Sequence, residues 1–183
     1  MVNWKAGAVL LALLVGLGVY AFQSRPQGTP DRPRLMPCDA FNTVRASFTG
    51  GGGSMVLERA KTGDPWRIAE PRPGPADKTQ VEFILNGISS VTVQNTIQKA
   101  DQGGDAYGFQ SPHVVVTCRV NNGASYTLTV GKKSFDASGY YARKSGDVRV
   151  YVISAVEVDG FDKAITEPPV PSSPVPSGAS PSP

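Results

Sequence analysis

The feature that most constrains this chain is a run of 17 consecutive uncharged residues near its N-terminus, residues 6–22 (AGAVLLALLVGLGVYAF). As an α-helix this run would be roughly 26 Å long, slightly shorter than the ~30 Å hydrocarbon core of a bilayer. Trp4, Lys5 and Arg25 flank the run and are suited to the two membrane interfaces. The run predicts a transmembrane helix, so it is not expected to join the core of a water-soluble domain.

A cleaved signal peptide is the alternative interpretation, because Val19 and Ala21 satisfy the small-residue rule for cleavage. We favour the uncleaved anchor, since the run is longer than the usual ~7–15 apolar residues of a signal core. Residues 1–5 are then expected in the cytoplasm and the folded domain outside it, in a single-pass protein of the cell membrane. Three arginines close behind the run count against that orientation.

Two proline-rich segments border the part of the chain that can form a core. Residues 23–34 (QSRPQGTPDRPR) contain three prolines and predict an extended stalk. Residues 166–183 form a Pro/Ser-rich tail that is predicted to be disordered, and that either crosses a cell-wall layer or has no specific role. Residues 35–165 are left to form one domain.

Within this domain the apolar side chains alternate in the way that is typical of strands. A first hairpin is predicted around the four-glycine turn Gly50–Gly53, and a third strand around Trp66, whose side chain is expected in the core. Further strands are predicted near residues 91–97, 114–120, 126–130, 140–143 and 148–152.

Two helices are predicted from their first turns and their apolar stripes. Asp77 with Gln80 is a capping-box variant, and Ser154 with Glu157 is an S-x-x-E box. The expected inner residues are Val81, Ile84, Leu85 and Ile88 in the first helix and Val158, Phe161 and Ile165 in the second. Strands followed by a helix therefore occur twice. The predicted fold class is α+β, an antiparallel sheet with two helices, arranged as two related β-β-β-α units.

Composition excludes several kinds of function. One histidine and two cysteines are too few for a multi-His or Cys-rich zinc site, and a formal net charge of +3 is too small to predict nucleic-acid binding. His113 begins a strand on the face opposite Cys118, so no Cys/His pair is expected. The segment 131–134 (GKKS) lacks the spacing of a phosphate loop. We therefore predict no catalytic residue, metal site or cofactor, and no enzyme.

The cysteines and four arginines each permit two interpretations. A location outside the cytoplasm would permit a disulfide between Cys38 and Cys118, whereas Cys118 lies on the apolar face of its strand, where free cysteine packs well. We favour two free thiols. The arginines at outward strand positions form either an ordinary solvated face or a basic face for cell-wall polymer or lipid headgroups: Arg45, Arg119, Arg143 and Arg149.

The segment Y-G-F-x-x-P (residues 107–112) contains a glycine that permits a sharp turn between two aromatic residues. One interpretation is a turn with packed rings. The other is an aromatic shelf for a ligand or partner, formed by Tyr107, Phe109 and Tyr140.

Several short motifs follow one another in a recognisable order: W-R-I-x-x-P (66–71), A-D (76–77), Y-G-F-x-x-P (107–112), L-T-V-G (128–131), Y-Y-A-R (140–143) and V-x-V-Y-V (148–152). With them the chain resembles a bacterial, membrane-anchored family of domains of unknown function, often encoded beside GldG-type, gliding-motility-like ABC transporter components. The resemblance covers roughly Leu35–Ala164 and the N-terminal anchor. It implies a protein partner of the ABC-transporter type and supplies no catalytic residues.

The expected function is thus that of a membrane-anchored extracytoplasmic accessory or interaction protein, associated with an ABC-type transport or surface machinery. A ligand-binding module with an aromatic shelf near Tyr107 and Tyr140 is the alternative. An enzyme would require acidic residues around His113, which the spacing does not predict. The oligomeric state stays open.

Overall fold

The structure is a computed structural model that describes residue 15 and residues 34–98 and 105–171. The predicted transmembrane helix, apart from Val15, lies outside the described residues, and so does nearly all of the predicted stalk. In the part of the chain that is described, no helix is long and apolar enough to cross a bilayer.

The described residues form one antiparallel sheet of nine strands and two helices. The strands are β1 (Thr43–Gly50), β2 (Gly53–Glu58), β3 (Arg67–Glu70), β4 (Gly74–Pro75), β5 (Val93–Ile97), β6 (Val114–Val120), β7 (Ser125–Lys133), β8 (Gly139–Lys144) and β9 (Val150–Ser154). The helices are α1 (Lys78–Ser89) and α2 (Ala155–Thr166). The strand order across the sheet is β4-β3-β2-β1-β6-β7-β8-β9-β5. This confirms the predicted antiparallel α+β class.

The first hairpin forms where the alternation and the glycines predict it. Ala46 pairs with Leu57 and Phe48 with Met55, and all four side chains are buried. Gly53 has a φ of 125°, which an L side chain rarely adopts. The glycine turn therefore allows the chain to reverse direction, and the alternation of apolar residues determines which side chains face the core.

Both helices begin at the predicted caps. The backbone N–H of Gln80 donates to Oδ1 of Asp77 (2.9 Å), and the backbone N–H of Val156 donates to Oγ of Ser154 (3.2 Å). Glu157 does not complete the second capping box, because its Oε1 accepts from the backbone N–H of Thr92 (3.1 Å). The buried stripes are Val81, Leu85 and Ile88 in α1 and Val158, Phe161, Ala164 and Ile165 in α2.

The sheet consists of two β-meanders joined through their first strands. Strands β1 to β4 are followed by α1, and strands β6 to β9 are followed by α2; β1 and β6 pair antiparallel at the centre of the sheet. Each unit thus has four strands, one more than the three predicted. The additional strand β5 lies at the edge and pairs with β9.

The two faces of the sheet differ sharply. The face that we call the helix face carries both helices and a single hydrophobic cluster, whose largest fully buried members include Phe48, Met55, Leu57, Val116, Leu128 and Ile153. The other face, called the open face below, carries half-buried and exposed side chains from the central strands: Arg45, Ser47, Thr49, Thr117, Arg119, Thr127, Thr129, Tyr141 and Arg143. Trp66 lies in the cluster with 4% of its surface exposed, as predicted.

Cys38 and Cys118 form a disulfide, with Cα atoms 6.4 Å apart. The prediction of two free thiols was wrong. Cys118 does lie on the apolar face, but the segment before β1 runs across the same region, and its Leu35, Met36, Cys38 and Ala40 are all buried there. That segment brings a second thiol to Cys118 across 80 residues of sequence.

The first residues of the predicted tail belong to the folded domain. Helix α2 continues to Thr166, and the carbonyl of Pro169 accepts from the backbone N–H of Asp77 (2.7 Å). The tail residues after 171 lie outside the described part of the chain.

Candidate functional site: an aromatic platform on the open face

The Y-G-F loop, residues 105–112, lies against strand β7. The backbone N–H of Lys132 donates to the carbonyl of Tyr107 (3.0 Å). A Cβ on Gly131 would collide with that carbonyl, and a Cβ on Gly108, whose φ is 77°, would lie 2.7 Å from the backbone nitrogen of Lys132. The glycines of the Y-G-F and L-T-V-G motifs therefore serve one purpose, since both let two backbones approach closely.

This docking places two rings of the loop beside two side chains of β8. The ring centroids of Tyr107 and Tyr141 are 5.0 Å apart in an edge-to-face arrangement, and those of Tyr107 and Phe109 are 5.9 Å apart. The guanidinium of Arg143 lies over the Phe109 ring, 4.8 Å from its centroid. We call these four half-buried residues, Tyr107, Phe109, Tyr141 and Arg143, the aromatic platform.

The structure brings Tyr107 and Phe109 together but places Tyr140 elsewhere. Neighbouring residues of a strand point to opposite faces, so Tyr140 lies on the helix face, with 8% of its surface exposed, while Tyr141 joins the platform. The predicted shelf therefore included the wrong tyrosine. The signal that identifies Tyr141 and Arg143 was present in the sequence, because Tyr140 alternates with Ala142, an apolar residue that must face the core.

His113 has a carboxylate partner that the spacing did not predict. Its Nε2 lies 2.8 Å from Oδ2 of Asp162 in α2, and its ring centroid lies 5.0 Å from that of Tyr140, with the two rings tilted by 37°. The prediction that His113 lies on the face opposite Cys118 was wrong, because its ring contacts Tyr140 and helix α2 on the helix face. His113 precedes the first residue of β6, so the alternation of the strand does not fix its direction. A carboxylate can orient an imidazole. Among the described residues, no group of three or more His, Cys, Asp or Glu side chains is placed to hold a metal ion.

The four arginines that were expected on one face have four different environments. Arg143 belongs to the platform, and Arg45 forms an ion pair with Glu58 (2.6 Å). Arg149 lies beside Asp147, with Nε 2.9 Å from Oδ1 and a terminal nitrogen 2.7 Å from Oδ2. Arg119 is exposed at the end of β6 and lines a cavity described below.

The Asp147 cluster contains the largest electrostatic perturbation in the described domain. Hydrogen bonds from Arg149, and then from the hydroxyl of Tyr151 (2.6 Å), hold the pKa of Asp147 well below its ordinary value. Burial, and then the hydrogen bond to Asp147, raises the pKa of Tyr151 to about 12. These contacts fix the turn between β8 and β9 and leave Arg149 neutralised.

Beside the platform the open face carries rows of small hydroxyl side chains. Ser47, Thr117 and Thr127 form one row across β1, β6 and β7, and the Oγ1 atoms of the two threonines are 3.1 Å apart. In a second row Val115 lies between Thr49 and Thr129, and Thr129 is directly opposite Arg143 of the platform. The five residues Ser47, Thr49, Thr117, Thr127 and Thr129 are called the hydroxyl rows below.

Residues 66–167 of the chain match the model of a protein family described as a domain of unknown function, DUF4340. The matched segment begins at Trp66 and contains the platform, His113 and both helices. No curated protein and no solved structure matches the chain.

Proposed function

We propose a function for a chain that belongs to the DUF4340 family: it is a membrane-anchored extracytoplasmic interaction protein, and its partner binds the open face of the sheet. The observation that carries the proposal is the difference between the two faces. The described apolar cluster and both helices lie on the helix face, whereas the hydroxyl rows and the aromatic platform lie opposite them.

The composition of this open face fits a protein contact. Tyrosine, phenylalanine and arginine are enriched at protein interfaces, and a few such residues supply most of the binding energy. Short hydroxyl side chains next to them keep the surface flat and offer hydrogen bonds. A partner could therefore place an apolar anchor against Tyr107 and Phe109 and polar groups against the hydroxyl rows.

The platform is held in position before any partner arrives. The Tyr107 carbonyl is fixed by Lys132, and the hydroxyl of Tyr141 accepts from the backbone N–H of Phe135 (3.2 Å). Arg143 lies against Phe109. A surface that is already ordered loses little conformational entropy on binding, which favours affinity.

The Cys38–Cys118 disulfide supports a location outside the cytoplasm, because disulfides persist in oxidising compartments and are rare in reducing ones. The partner class, an ABC-type transport or surface machinery, comes from the family resemblance alone.

Binding of a small ligand by the platform is the second candidate. The stacking of Arg143 on Phe109 and the edge-to-face pair of Tyr107 and Tyr141 favour it, since such groups also hold flat ligands. Three cavities formed by described residues are lined by side chains outside the platform.

Photo-crosslinking in native membranes tests the proposal. A photoreactive amino acid would replace Thr117 or Thr129 on the open face, and Asn86 or Asp159 on the exposed side of the helices in two matched controls. We expect the open-face positions to give a discrete crosslinked species whose mass-spectrometric identification names a membrane-transport component. Crosslinks from the control positions alone would contradict the proposal.

A further inference from the structure

A second feature of the sheet is a cavity of about 890 Å³ at one end of it. The cavity opens where β1 and β3 begin and where β2 and β6 end. Residues of the loop between β2 and β3 (59–66) form one wall, and the turn after β6 forms another. It lies away from the platform, which is built on β7 and β8.

The lining of this cavity is strongly cationic. Its basic side chains are Arg45, Arg59, Lys61, Arg67 and Arg119, and its acidic side chains are Glu58 and Asp64. The formal charge of the lining is therefore +3, the same as that of the whole chain of 183 residues. The remaining 13 basic and 13 acidic side chains of the chain cancel, so its net positive charge equals the charge of this lining.

Arg59 is a fixed part of the cavity wall. Its Nε donates to the carbonyl of Thr43 (2.8 Å), and a terminal nitrogen donates to the carbonyl of Ala40 (2.7 Å). Its guanidinium also lies 4.5 Å from the centre of the Trp66 ring. Desolvation lowers the pKa of Arg59, but arginine stays protonated at physiological pH. Arg59 thus contributes charge to the cavity without needing to move.

Four charged residues form a row across adjacent strands. In the register of the sheet, Arg67 lies opposite Glu58, Glu58 opposite Arg45, and Arg45 opposite Arg119. The strands follow the order β3-β2-β1-β6. Neighbouring strands are ~4.8 Å apart, so the row is roughly 14 Å long. We call these residues the arginine row.

The arginine row contains an excess of positive charge that the domain does not neutralise. Glu58 forms an ion pair with Arg45. Among the described residues, no carboxylate oxygen lies within 4.0 Å of the charged nitrogens of Lys61, Arg67 or Arg119, and all three residues are exposed. Like charges directly opposite one another on neighbouring strands, such as Arg45 and Arg119, destabilise a sheet. A bound anion would relieve this repulsion.

We propose that this cavity binds an anionic ligand bearing phosphate groups, with Arg67 and Arg119 as the two outer contacts and Arg45, ion-paired with Glu58, between them. The guanidinium fork matches the oxygens of a phosphate and binds it through paired hydrogen bonds. The length of the arginine row fits a ligand with two separated phosphates or one phosphate with further polar groups. Such a ligand is supplied either by a lipid headgroup or by a free phosphorylated molecule.

The proposal is independent of the protein partner and is tested on the full chain in a neutral detergent. The probes are inorganic pyrophosphate and the short-chain lipid dihexanoyl phosphatidylglycerol, with dihexanoyl phosphatidylcholine as the lipid that carries no net charge. Binding would be measured by calorimetric titration at two salt concentrations. We expect at least one anionic probe to bind, with an affinity that falls as salt is raised.

Two double variants with the same net charge separate a site from general attraction. Arg67→Gln with Arg119→Gln removes two cavity charges, and Arg72→Gln with Lys78→Gln removes two exposed charges outside the cavity. We expect the first pair to weaken binding at least tenfold and the second to change it less than twofold. Because all four side chains are exposed, the unliganded variants should melt within a few degrees of the unchanged protein.

The outcomes distinguish the sources of phosphate. Binding of pyrophosphate assigns the site to free phosphate groups, and binding of the anionic lipid alone assigns it to a membrane headgroup. Failure of both probes to bind, or equal weakening by the two double variants, would overturn the proposal. Neither result bears on the crosslinking of the open face, so the two proposals can fail separately.

Discussion

At the residue scale, two adjacent tyrosines show how one position in a strand decides the role of a side chain. Tyr140 packs in the core beside His113, whereas Tyr141 contacts Tyr107 on the open face. The same alternation puts Ala142 in the core and Arg143 on Phe109. The candidate site is therefore built from outward residues of β8 and one loop that docks on β7.

Gly131 is the residue on which that docking depends most. Replacing Gly131 with Ala would force the Tyr107 carbonyl away from β7, and we expect a loss of about 1–3 kcal/mol in the free energy of unfolding. The matched control is Gly87→Ala in α1, where a Cβ meets nothing within 4 Å. That change should stabilise the helix by about 0.5–1 kcal/mol. Denaturant unfolding measures both, and equal stabilities would contradict the close approach.

Asp147 gives a pH dependence with a defined sign. Its folded-state pKa is depressed, so its carboxylate stabilises the fold above the unfolded-state pKa of about 4, and this contribution is lost as the pH falls through the folded-state value. We expect Asp147→Asn to lower the melting temperature at pH 7 and to differ less and less from the unchanged protein below about pH 4. An exposed control, Asp159→Asn, should have little effect at either pH. A constant difference from pH 7 to pH 2 would show that the charge of Asp147 is irrelevant.

At the element scale, local signals were sufficient wherever the stabilising contact is itself local. Asp77 and Ser154 cap the helices that they were predicted to cap, and Gly50–Gly53 makes the first turn. Glu157 is the exception. Its partner is the backbone of Thr92, which precedes β5, and only the packing of β5 beside β9 brings the two together.

The segment before β1 is held to the sheet by one covalent bond in addition to its buried apolar side chains. The disulfide ties Cys38 to the central strand β6. We expect the double change Cys38→Ala with Cys118→Ala to lower the free energy of unfolding by about 2–4 kcal/mol. A reductant should lower the melting temperature of the unchanged protein but not that of the double variant. A reductant without effect on either would mean that the thiols are not joined.

At the scale of the whole molecule, the open face, the platform and the arginine row belong to one side of one sheet. This concentration of polar and aromatic groups motivates both the partner and the anion proposals. His113 lies on the helix face instead, with its Nε2 2.8 Å from Oδ2 of Asp162.

Protease treatment tests the predicted orientation of the molecule. If the domain lies outside the cytoplasm, protease added to intact spheroplasts should digest it, while a cytoplasmic marker protein remains intact. The physical reason is that the protease cannot cross the bilayer, so it reaches only those domains that lie outside the cytoplasm. Digestion that requires lysis would contradict the predicted orientation and, with it, the proposed function.

The sequence by itself determined the strands other than β4, the helix starts and the buried stripes, because hydrophobic periodicity, caps and glycine turns act over a few residues. It also contained the information that Tyr141 faces outward. Only the tertiary structure decided that Cys38 reaches Cys118, that Asp162 reaches His113, and that Arg67 and Arg119 lie in one row. Each of those contacts joins residues far apart in the chain, and each depends on which strands pair and in what register. That choice is made by the burial of a whole face at once, so no short window of sequence specifies it.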